Sequence, residues 1–311
     1  MQSVLVTGGA GFIGSHLCDL LIDKGYKVIC LDNLLTGSKQ NIEHLLTNPN
    51  FEFVEADVTS KFQIPDSEFI FHLASPASPI DYQNYPEETL LTNSLGTLNI
   101  LELAKKTGAK VLVASTSEIY GDPLEHPQRE TYLGNVNTFG PRACYDESKR
   151  YAETATYVFI KKYNIDARII RIFNTYGPRM KKDDGRVVSN FITKSLSGDT
   201  INIDGDGSQT RSFCYISDLV DGIYKAMFFD GTNVQIFNLG NPDEYKVKDL
   251  AEKIIKLTGS KSEIKYSGTF REDDPMRRQP DITKAKKILD WEPKVGLEEG
   301  LQKTIEYYKS L

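Results

Sequence analysis

The sequence predicts an α/β protein built on a doubly wound parallel sheet, with a smaller α/β lobe at its C-terminal end. In the first half, short runs rich in β-branched residues alternate with longer runs whose apolar residues recur at helical spacing. Several of the short runs are apolar throughout, as expected of parallel strands that helices cover on both faces. After about Asn174 turn-forming residues become dense, which indicates a change of architecture.

These patterns place each element in order. In the first half we predict strands at Ser3–Thr7, Lys27–Asp32, Phe51–Glu55, Phe69–Leu73, Val111–Ser115 and Arg168–Phe173. The helices between them are predicted at Ile13–Lys24, Leu90–Thr107 and Tyr145–Tyr163. Later helices are predicted at Val187–Ser197, Ser217–Phe229, Val247–Leu257 and Leu297–Lys309. We therefore expect residues 1–175 to form one domain, joined by about residues 210–236, and residues 176–311 to form the second lobe.

A glycine-rich loop from Thr7 to Gly14 joins the first strand to the first helix. Its first glycine, Gly8, suits a tight turn, Gly11 lets the backbone approach a pyrophosphate, and Gly14 lets the helix pack on the strand. Asp32 ends the second strand, where an acidic residue accepts hydrogen bonds from ribose hydroxyls and repels a 2′-phosphate. The loop therefore predicts a Rossmann-like domain that binds NAD rather than NADP.

The composition argues against several classes of function. The net charge of −6 and the pI near 5.4 are not typical of a nucleic-acid-binding protein. No run of about 18 apolar residues and no signal-peptide pattern is found, which predicts a cytoplasmic protein without a membrane span. We predict no metal site, because the cysteines and histidines are scattered (Cys18, Cys30, Cys144, Cys214, His16, His44, His72 and His126).

Two short motifs suggest chemistry. Tyr145 and Lys149 are four residues apart, so they share one face of a helix. A nearby ammonium favours the phenolate, so we expect Lys149 to make Tyr145 a base near neutral pH. The run from Ser115 to Glu118 follows the fifth strand, at the carboxyl edge of the sheet where ligands bind in open α/β folds. A Tyr–Lys pair at this spacing often occurs by chance, so its interpretation depends on the nearby Ser115-to-Glu118 run.

Together with the segments His72 to Ser75 and Arg171 to Pro178, these motifs resemble the extended branch of the short-chain dehydrogenase/reductases, which act on nucleotide sugars. The resemblance covers essentially the entire chain. Longer runs are similar to the UDP-glucuronate decarboxylases, namely His72 to Pro79, Gly140 to Glu147, Asp184 to Phe191, Gly207 to Arg211 and Asp273 to Ile282.

Ser117 and Glu118 separate the decarboxylases from their relatives in this resemblance. The sugar-nucleotide 4,6-dehydratases carry Asp-Glu after the threonine, as an acid/base pair that expels a C6 hydroxyl. This chain has Ser117-Glu118, and a serine does not act as that acid at ordinary pH. The 4-epimerases carry no glutamate at this place. The resemblance therefore implies a decarboxylase; a 4-epimerase or 4,6-dehydratase and a non-catalytic NAD sensor are the alternatives.

The resemblance implies oxidation of the sugar at C4, loss of CO₂ from the resulting β-keto acid, and reduction of C4 with NAD recycled. The implied catalytic residues are Thr116, Ser117, Glu118, Tyr145, Lys149 and Arg278. We expect cofactor contacts from Gly8, Gly11, Phe12, Ile13, Gly14, Asp32, Asn33, Asp57, Val58, Leu73, Ala74, Ser75, Asn93, Ser115, Tyr145 and Lys149. Substrate contacts are expected from Tyr82, Glu118, Arg142, Asn174, Val188, Arg211, Arg271 and Arg278.

Some properties stay open at this level. The nucleotide is UDP or dTDP, with UDP favoured by the resemblance, and the C2 substituent of the uronate is hydroxyl or N-acetyl. Helices Leu90–Thr107 and Tyr145–Tyr163 carry apolar residues on more than one face. Relatives in this family dimerise through these two helices as a four-helix bundle, so we expect a homodimer.

Overall fold

The computed structural model describes residues 1–61, 64–231, 235–270 and 273–311. The described strands are β1 (Ser3–Thr7), β2 (Lys27–Asp32), β3 (Phe51–Glu55), β4 (Phe69–His72), β5 (Lys110–Thr116), β6 (Ala167–Ile172), β7 (Thr175–Tyr176), β8 (Ile201–Ile203), β9 (Thr210–Ser212), β10 (Cys214–Tyr215), β11 (Gln235–Leu239), β12 (Glu244–Lys246), β13 (Ile264–Tyr266) and β14 (Arg277–Arg278). The α-helices are α1 (Phe12–Asp23), α2 (Pro79–Asn84), α3 (Pro86–Leu91), α4 (Thr97–Thr107), α5 (Ala143–Tyr163), α6 (Val187–Ser197), α7 (Ile216–Phe228), α8 (Val247–Thr258), α9 (Thr283–Leu289) and α10 (Leu297–Lys309).

The largest sheet has seven parallel strands in the order β11-β6-β5-β4-β1-β2-β3. Alternate residues of a strand point to opposite faces, and both faces are apolar here. Val4 and Val6 of β1 pack in a core that includes α1 and α7, whereas Leu5 packs with α4 and α5 on the other face. The predicted Rossmann-like doubly wound sheet is confirmed.

The strand order reverses between β1 and β4, because the chain returns to the middle of the sheet after β3. A crevice opens at such a switch point, beyond the carboxyl ends of the strands. The glycine-rich loop follows β1 and the Ser115-to-Glu118 run closes β5, so both predicted motifs lie along this edge. The topology therefore brings together segments that are far apart in the sequence.

The second half forms smaller sheets beside this edge. β9 pairs with β12 and β14, β8 pairs with β13, and β7 pairs with β10. Helices α6, α8 and α10 pack against one another. The chain also returns to the large sheet, since α7 packs on α1 and β11 pairs with β6. The two-domain division of the chain stays a prediction.

The predicted helix Leu90–Thr107 is interrupted. A single π-helical turn at Thr92–Gly96 separates α3 from α4. The hydroxyl of Ser94 donates to the Leu90 carbonyl oxygen (2.6 Å) and that of Thr97 donates to the Asn93 carbonyl oxygen (2.7 Å). Such side-chain bonds to the preceding turn bend helices.

Each predicted strand of the large sheet is confirmed within one residue at either end.

The short helix α2 was not predicted from periodicity. Its start carries a recognisable signal, because Ser78 caps the helix by accepting a hydrogen bond from the Asp81 N–H (3.0 Å) and Pro79 occupies the first position. None of the described helices is long and apolar enough to cross a bilayer.

Candidate active site

A cleft of about 960 Å³ lies at the carboxyl edge of the large sheet and extends to the smaller sheets. Most predicted cofactor and substrate residues line it. The lining includes the glycine-rich loop, the ends of β2, β4 and β5, the first turns of α5 and α6, and parts of β9 and β14. Residues predicted separately as cofactor and substrate contacts therefore face one continuous space.

The glycine-rich loop fits a dinucleotide on steric grounds. A Cβ on Gly14 would lie 2.1 Å from the carbonyl oxygen of Gly8, so α1 packs too closely on the loop for any side chain there. Gly8 has φ +71°, in the left-handed region that favours glycine. Helix α1 starts at Phe12 without a side-chain cap. Its first N–H groups and helix dipole are thus available to an anion such as a diphosphate.

Asp32 lies at the end of β2, beside this loop. Its two carboxylate oxygens accept hydrogen bonds from the N–H groups of Leu34 (2.8 Å) and Ala10 (3.0 Å). Burial raises the pKa of Asp32, and these backbone hydrogen bonds oppose the rise. The acceptor therefore lies in the cleft where the ribose of a dinucleotide bound on the loop would be expected.

Asp57 and Asn93 lie outside the lining of the cleft, although both were predicted as cofactor contacts. The carboxylate of Asp57 accepts hydrogen bonds from the Asn33 side-chain amide (2.7 Å) and from Thr59. Asn93 is buried in the π turn and donates to the Ser148 hydroxyl (3.0 Å). Both side chains hold neighbouring elements in place, and Val58 lines the cleft beside Asp57.

Tyr145 is buried and stacks on Tyr82, with ring centroids 5.1 Å apart and an angle of 8° between the planes. Burial raises the pKa of Tyr145 above its ordinary value, a hydrogen bond with the Thr116 side chain opposes the rise, and the charges of Glu118 and Asp146 add to it. The hydroxyl of Tyr82 is buried and has no hydrogen-bond partner among the described residues. Two phenol rings therefore share one wall of the cleft.

Lys149 lies beside Tyr145, with its Nζ atom 5.8 Å from the centre of that ring. The ammonium donates a hydrogen bond to the Ala114 carbonyl oxygen of β5 (2.9 Å). Burial lowers the pKa of Lys149 to about 7. Burial therefore opposes formation of the Tyr145 phenolate, and the expected lowering of the Tyr145 pKa by Lys149 stays a prediction.

Glu118 forms ion pairs with two arginines of the cleft. Its Oε2 accepts a hydrogen bond from Arg142 Nη2 and its Oε1 accepts one from Arg278 Nη1. Burial favours the neutral form of Glu118, but the two guanidinium charges outweigh it and hold the pKa at about 2. The carboxylate therefore stays ionised at neutral pH, in contact with both arginines.

The register of two short strands brings a third arginine to this group. β14 pairs with β9 in parallel so that Arg278 lies beside Arg211. Arg211 donates to Asp274 (2.8 Å), and Arg142 lies 3.5 Å from the other oxygen of the same carboxylate. Three guanidinium groups and two carboxylates thus alternate along one side of the cleft.

Other predicted side chains also reach this space. Ser117, Asn174 and Val188 line the cleft, and the Asn174 carbonyl oxygen accepts a hydrogen bond from the Cys214 N–H (2.9 Å). Ser115 lines it too and donates to Glu153 (2.5 Å). Arg271, predicted as a substrate contact, lies outside the described residues.

Arg186 is a lining residue to which the sequence interpretation assigned no role. It lies immediately before α6 and pairs with Asp184 through two hydrogen bonds, of 2.5 and 2.6 Å. Its positive charge lowers the pKa of Tyr145, against the effect of burial. The signal for it in the sequence is the Asp184-to-Arg186 turn, which lies in a run similar to the UDP-glucuronate decarboxylases.

No group of three or more metal-ligating side chains is formed within the part of the chain that the structure describes.

Comparison with known proteins identifies the family. Residues 5–304 match the family model described as GDP-mannose 4,6 dehydratase. The chain belongs to this family. The fold and the glycine-rich loop of this GDP-mannose 4,6-dehydratase family member agree with the predicted resemblance to the extended short-chain dehydrogenase/reductases, which is confirmed.

Relatives of this family member carry several activity names. UDP-glucuronic acid decarboxylase 1 of Xenopus tropicalis is 52% identical over 309 residues, which cover 99% of this chain and 72% of the relative. UDP-glucose 4-epimerase of Thermotoga maritima, solved with UDP-glucose, has a TM-score of 0.90, 34% identity and 99% coverage of both chains. UDP-glucuronic acid 4-epimerase of Bacillus cereus, solved with UDP-glucuronic acid and NAD, has a TM-score of 0.91, 28% identity and 99% coverage of both. Family membership alone therefore leaves the reaction open.

Proposed function

We propose that this chain is an NAD-dependent carboxy-lyase that converts UDP-glucuronate, or a close UDP-uronate, into a UDP-xylose-type product. The observation that carries the proposal is the contact of Glu118 with Arg142 and Arg278 beside Tyr145 in one cleft. Two arginines at that place form a binding site for a carboxylate. Sequence identities of 52% and 51% to two UDP-glucuronic acid decarboxylases, over nearly the whole chain, support the proposal.

NAD is the cofactor, and a related structure holds NAD together with UDP-glucuronic acid. This chain holds the diphosphate at the glycine-rich loop and the ribose at Asp32, for the steric and hydrogen-bonding reasons given above. When bound, NAD⁺ supplies reversible two-electron oxidation of the sugar at C4. The domain that contains the large sheet has the cofactor role, and the smaller lobe has the nucleotide-sugar role.

Tyr145 takes the proton of the sugar 4-hydroxyl. Thr116 binds the same oxygen of the sugar, and its hydrogen bond to Tyr145 supports this role. Because burial favours the neutral phenol, this transfer depends on positive charge in the cleft, and Lys149 and Arg186 are the nearby side chains that can supply it.

Arg142 and Arg278 hold the substrate carboxylate. In the structure Glu118 occupies both guanidinium groups, so the substrate competes with it for the same partners. Once C4 is a ketone the substrate is a β-keto acid, whose C5–carboxylate bond breaks with the electron pair passing into an enolate. The negative charge moves to the C4 oxygen, where the hydroxyl groups of Tyr145 and Thr116 can donate hydrogen bonds to it.

The nucleotide lies toward the smaller sheets. Arg211 offers a planar guanidinium group to the diphosphate, and Asn174 and Val188 lie in the adjacent wall.

The test of the function is incubation of the enzyme and NAD with UDP-glucuronate and with UDP-N-acetylglucosaminuronate, followed by mass measurement of the products. Loss of CO₂ is expected. An unchanged mass would indicate a 4-epimerase and loss of water a dehydratase, and either result would contradict the proposal.

The same proposal includes a cytoplasmic homodimer joined through a four-helix bundle. Its support is a set of exposed apolar residues on α3, the π turn and α5, namely Leu90, Leu91, Leu95, Tyr157 and Val158. Helices α3 and α5 pack together within the chain, so these residues lie on adjoining elements. Light scattering at micromolar protein tests the dimer, and a monomeric mass would contradict it.

A further inference from the structure

A second, smaller cavity lies beside Arg278, whose guanidinium group contacts the lining residue Gly121. Its volume is about 210 Å³, enough for several water molecules. Asp122, Asn135 and Asn137 on its rim are exposed to solvent, whereas Asp146 at its inner end is buried. The cavity therefore leads from the surface to the first turn of α5.

Asp146 stands out in this cavity. Its side chain is 5% exposed, and its Oδ1 atom is buried without a hydrogen-bond partner among the described residues. A buried carboxylate oxygen without a partner is costly, and such an atom is better accommodated when the group carries its proton. A structural role at the start of the helix does not require this environment, since an exposed carboxylate serves there equally well.

The two cavities are close neighbours. Tyr145 lines the large cleft, and the next residue, Asp146, lines the small cavity. Gly121 lines the small cavity as well, and its carbonyl oxygen accepts a hydrogen bond from Arg278 Nη2 (2.8 Å). Arg278 also binds Glu118. One arginine therefore connects the wall of the small cavity to the reacting side of the cleft.

The proposed reaction needs a proton from outside the substrate. A substrate carboxylate leaves as CO₂, and C5 gains a hydrogen, so each turnover consumes one proton of the solvent. The proton taken from the 4-hydroxyl returns to that oxygen when C4 is reduced. Glu118 does not store this proton in the structure, because Arg142 and Arg278 keep it ionised.

We propose that Asp146 stores the proton that decarboxylation consumes and is recharged by water in the small cavity. The inference rests on the proposed function. On binding, the substrate carboxylate takes over Arg142 and Arg278, and Glu118 loses its counter-charges. The Asp146 O–H bond then breaks and the proton passes to Glu118, directly or through cavity water. From Glu118 it forms the new C5–H bond as the enolate returns to the ketone, and Asp146 regains a proton from the small cavity.

The charges around Asp146 agree with this role. Burial and the negative charge of Glu118 raise its pKa to about 8, while Arg142 and Arg278 oppose the rise. One member of the Glu118–Asp146 pair is thus protonated and the other ionised at neutral pH. The titratable or charged groups that face Asp146 from its surroundings are Glu118, Arg142, Arg278, Glu147, Tyr82, Tyr145, Cys144, Asp122 and Asp273.

The test uses Asp146→Asn, which keeps the size of the side chain and removes its acid. In D₂O the wild-type enzyme is expected to place deuterium at C5 in one orientation. The variant should be slower by about 100-fold in kcat and should give a mixture of orientations, because bulk solvent then protonates the enolate. Adding formate to Asp146→Ala, in which the cavity has room for a small acid, should restore part of the rate and the single orientation.

The matched control is Glu147→Gln, which removes the adjacent carboxylate of the same helix, paired with Arg150 at 3.6 Å. It should keep the single orientation at C5, because Asp146 retains its acid, although loss of the Glu147 charge lowers the pKa of Asp146. The fall of kcat at alkaline pH should shrink in Asp146→Asn; Lys149 contributes equally to both profiles, so their difference isolates Asp146.

A single orientation at C5 in Asp146→Asn, together with an unchanged pH profile, would overturn the inference even if the rate fell. If formate restored neither the rate nor the single orientation at C5 in Asp146→Ala, the inference would also be contradicted. If the wild-type enzyme released no CO₂ from either uronate, the proposed function would fail first, so the two failures are distinguishable.

Discussion

Glu118 and Arg278 form an ion pair across 160 positions of the sequence. Glu118 follows β5 of the large sheet, whereas Arg278 belongs to β14 beside the smaller sheets. Their contact joins the part of the cleft that carries Tyr145 to the part that carries Arg211. Because a substrate carboxylate would compete for Arg278, this pair is both a structural link and the expected place of substrate binding.

Glu118→Gln tests the role of this pair. The amide cannot carry a proton or balance Arg142 and Arg278, so CO₂ release should fall by at least about 100-fold. NAD affinity, measured by calorimetry, should stay unchanged because the glycine-rich loop is not touched. Near-normal turnover would remove Glu118 from the mechanism. An exposed carboxylate with no contact to the cleft, such as Glu87, provides a control as Glu87→Gln.

Tyr145→Phe removes the hydroxyl and keeps the ring stacked on Tyr82. Without that hydroxyl the sugar 4-hydroxyl has no base, so both C4 oxidation and CO₂ release should be lost. Absorbance at the NADH wavelength in single-turnover mixtures measures the first and mass measurement the second. Tyr151→Phe, an exposed tyrosine of the same helix, should leave both unchanged. Retained NADH formation in Tyr145→Phe would refute the assignment of the base.

Gly14→Ala and Gly11→Ala separate packing from cofactor binding. A Cβ on Gly14 would lie 2.1 Å from the Gly8 oxygen, so the loop must shift, and both thermal stability and NAD affinity should fall. On Gly11 the contact would be 3.1 Å to the same atom, so we expect weaker NAD binding with a smaller loss of stability. Gly296→Ala, where a Cβ meets nothing within 4 Å, serves as the control. Equal losses of stability at positions 11 and 14 would contradict this steric account.

Asp146→Asn should change the pH dependence of stability. The pKa of Asp146 is about 8 in the folded chain, above its ordinary value near 4, so the native state holds a proton that the unfolded chain releases in this range. Stability from this group is therefore present at low pH and lost as the pH rises toward 8. The melting temperature of the variant minus that of the wild type should be at least about 2 °C larger at pH 8 than at pH 5. Calorimetric scans at both pH values measure this, and a pH-independent difference would argue against a stored proton.

Leu95→Glu should yield monomers if the proposed bundle holds the dimer. Leu95 lies in the π turn and is 42% exposed in the single chain, so a charge there would be buried at the interface at high cost. Light scattering of wild type and variant at equal concentration checks the mass. Leu124→Glu, at an 82% exposed loop position away from these helices, is the control. A dimeric Leu95→Glu protein would place the interface elsewhere.

Much of the fold was predictable because it depends on local rules. Apolar runs set the strands of the large sheet, and the steric needs of Gly8 and Gly14 set the loop. The π turn at Thr92–Gly96 escaped prediction, because side-chain bonds to the preceding turn leave the helical periodicity of apolar residues unchanged. Strand β11 also lay outside the predicted set, although its pairing with β6 extends the sheet.

By itself the sequence determined the parallel sheet, the glycine-rich loop with Asp32 beside it, and the Ser117-Glu118 pair that follows Thr116. These features follow from side-chain pattern and backbone sterics over a few residues. Only the tertiary structure decided which charges meet. The register of β9 and β14 places Arg278 beside Arg211. The charges of Arg142 and Arg278 keep Glu118 ionised, whereas burial and the charge of Glu118 favour the protonated form of Asp146. Desolvation and ion pairing depend on neighbours from distant parts of the chain, and that is why no local pattern could show them.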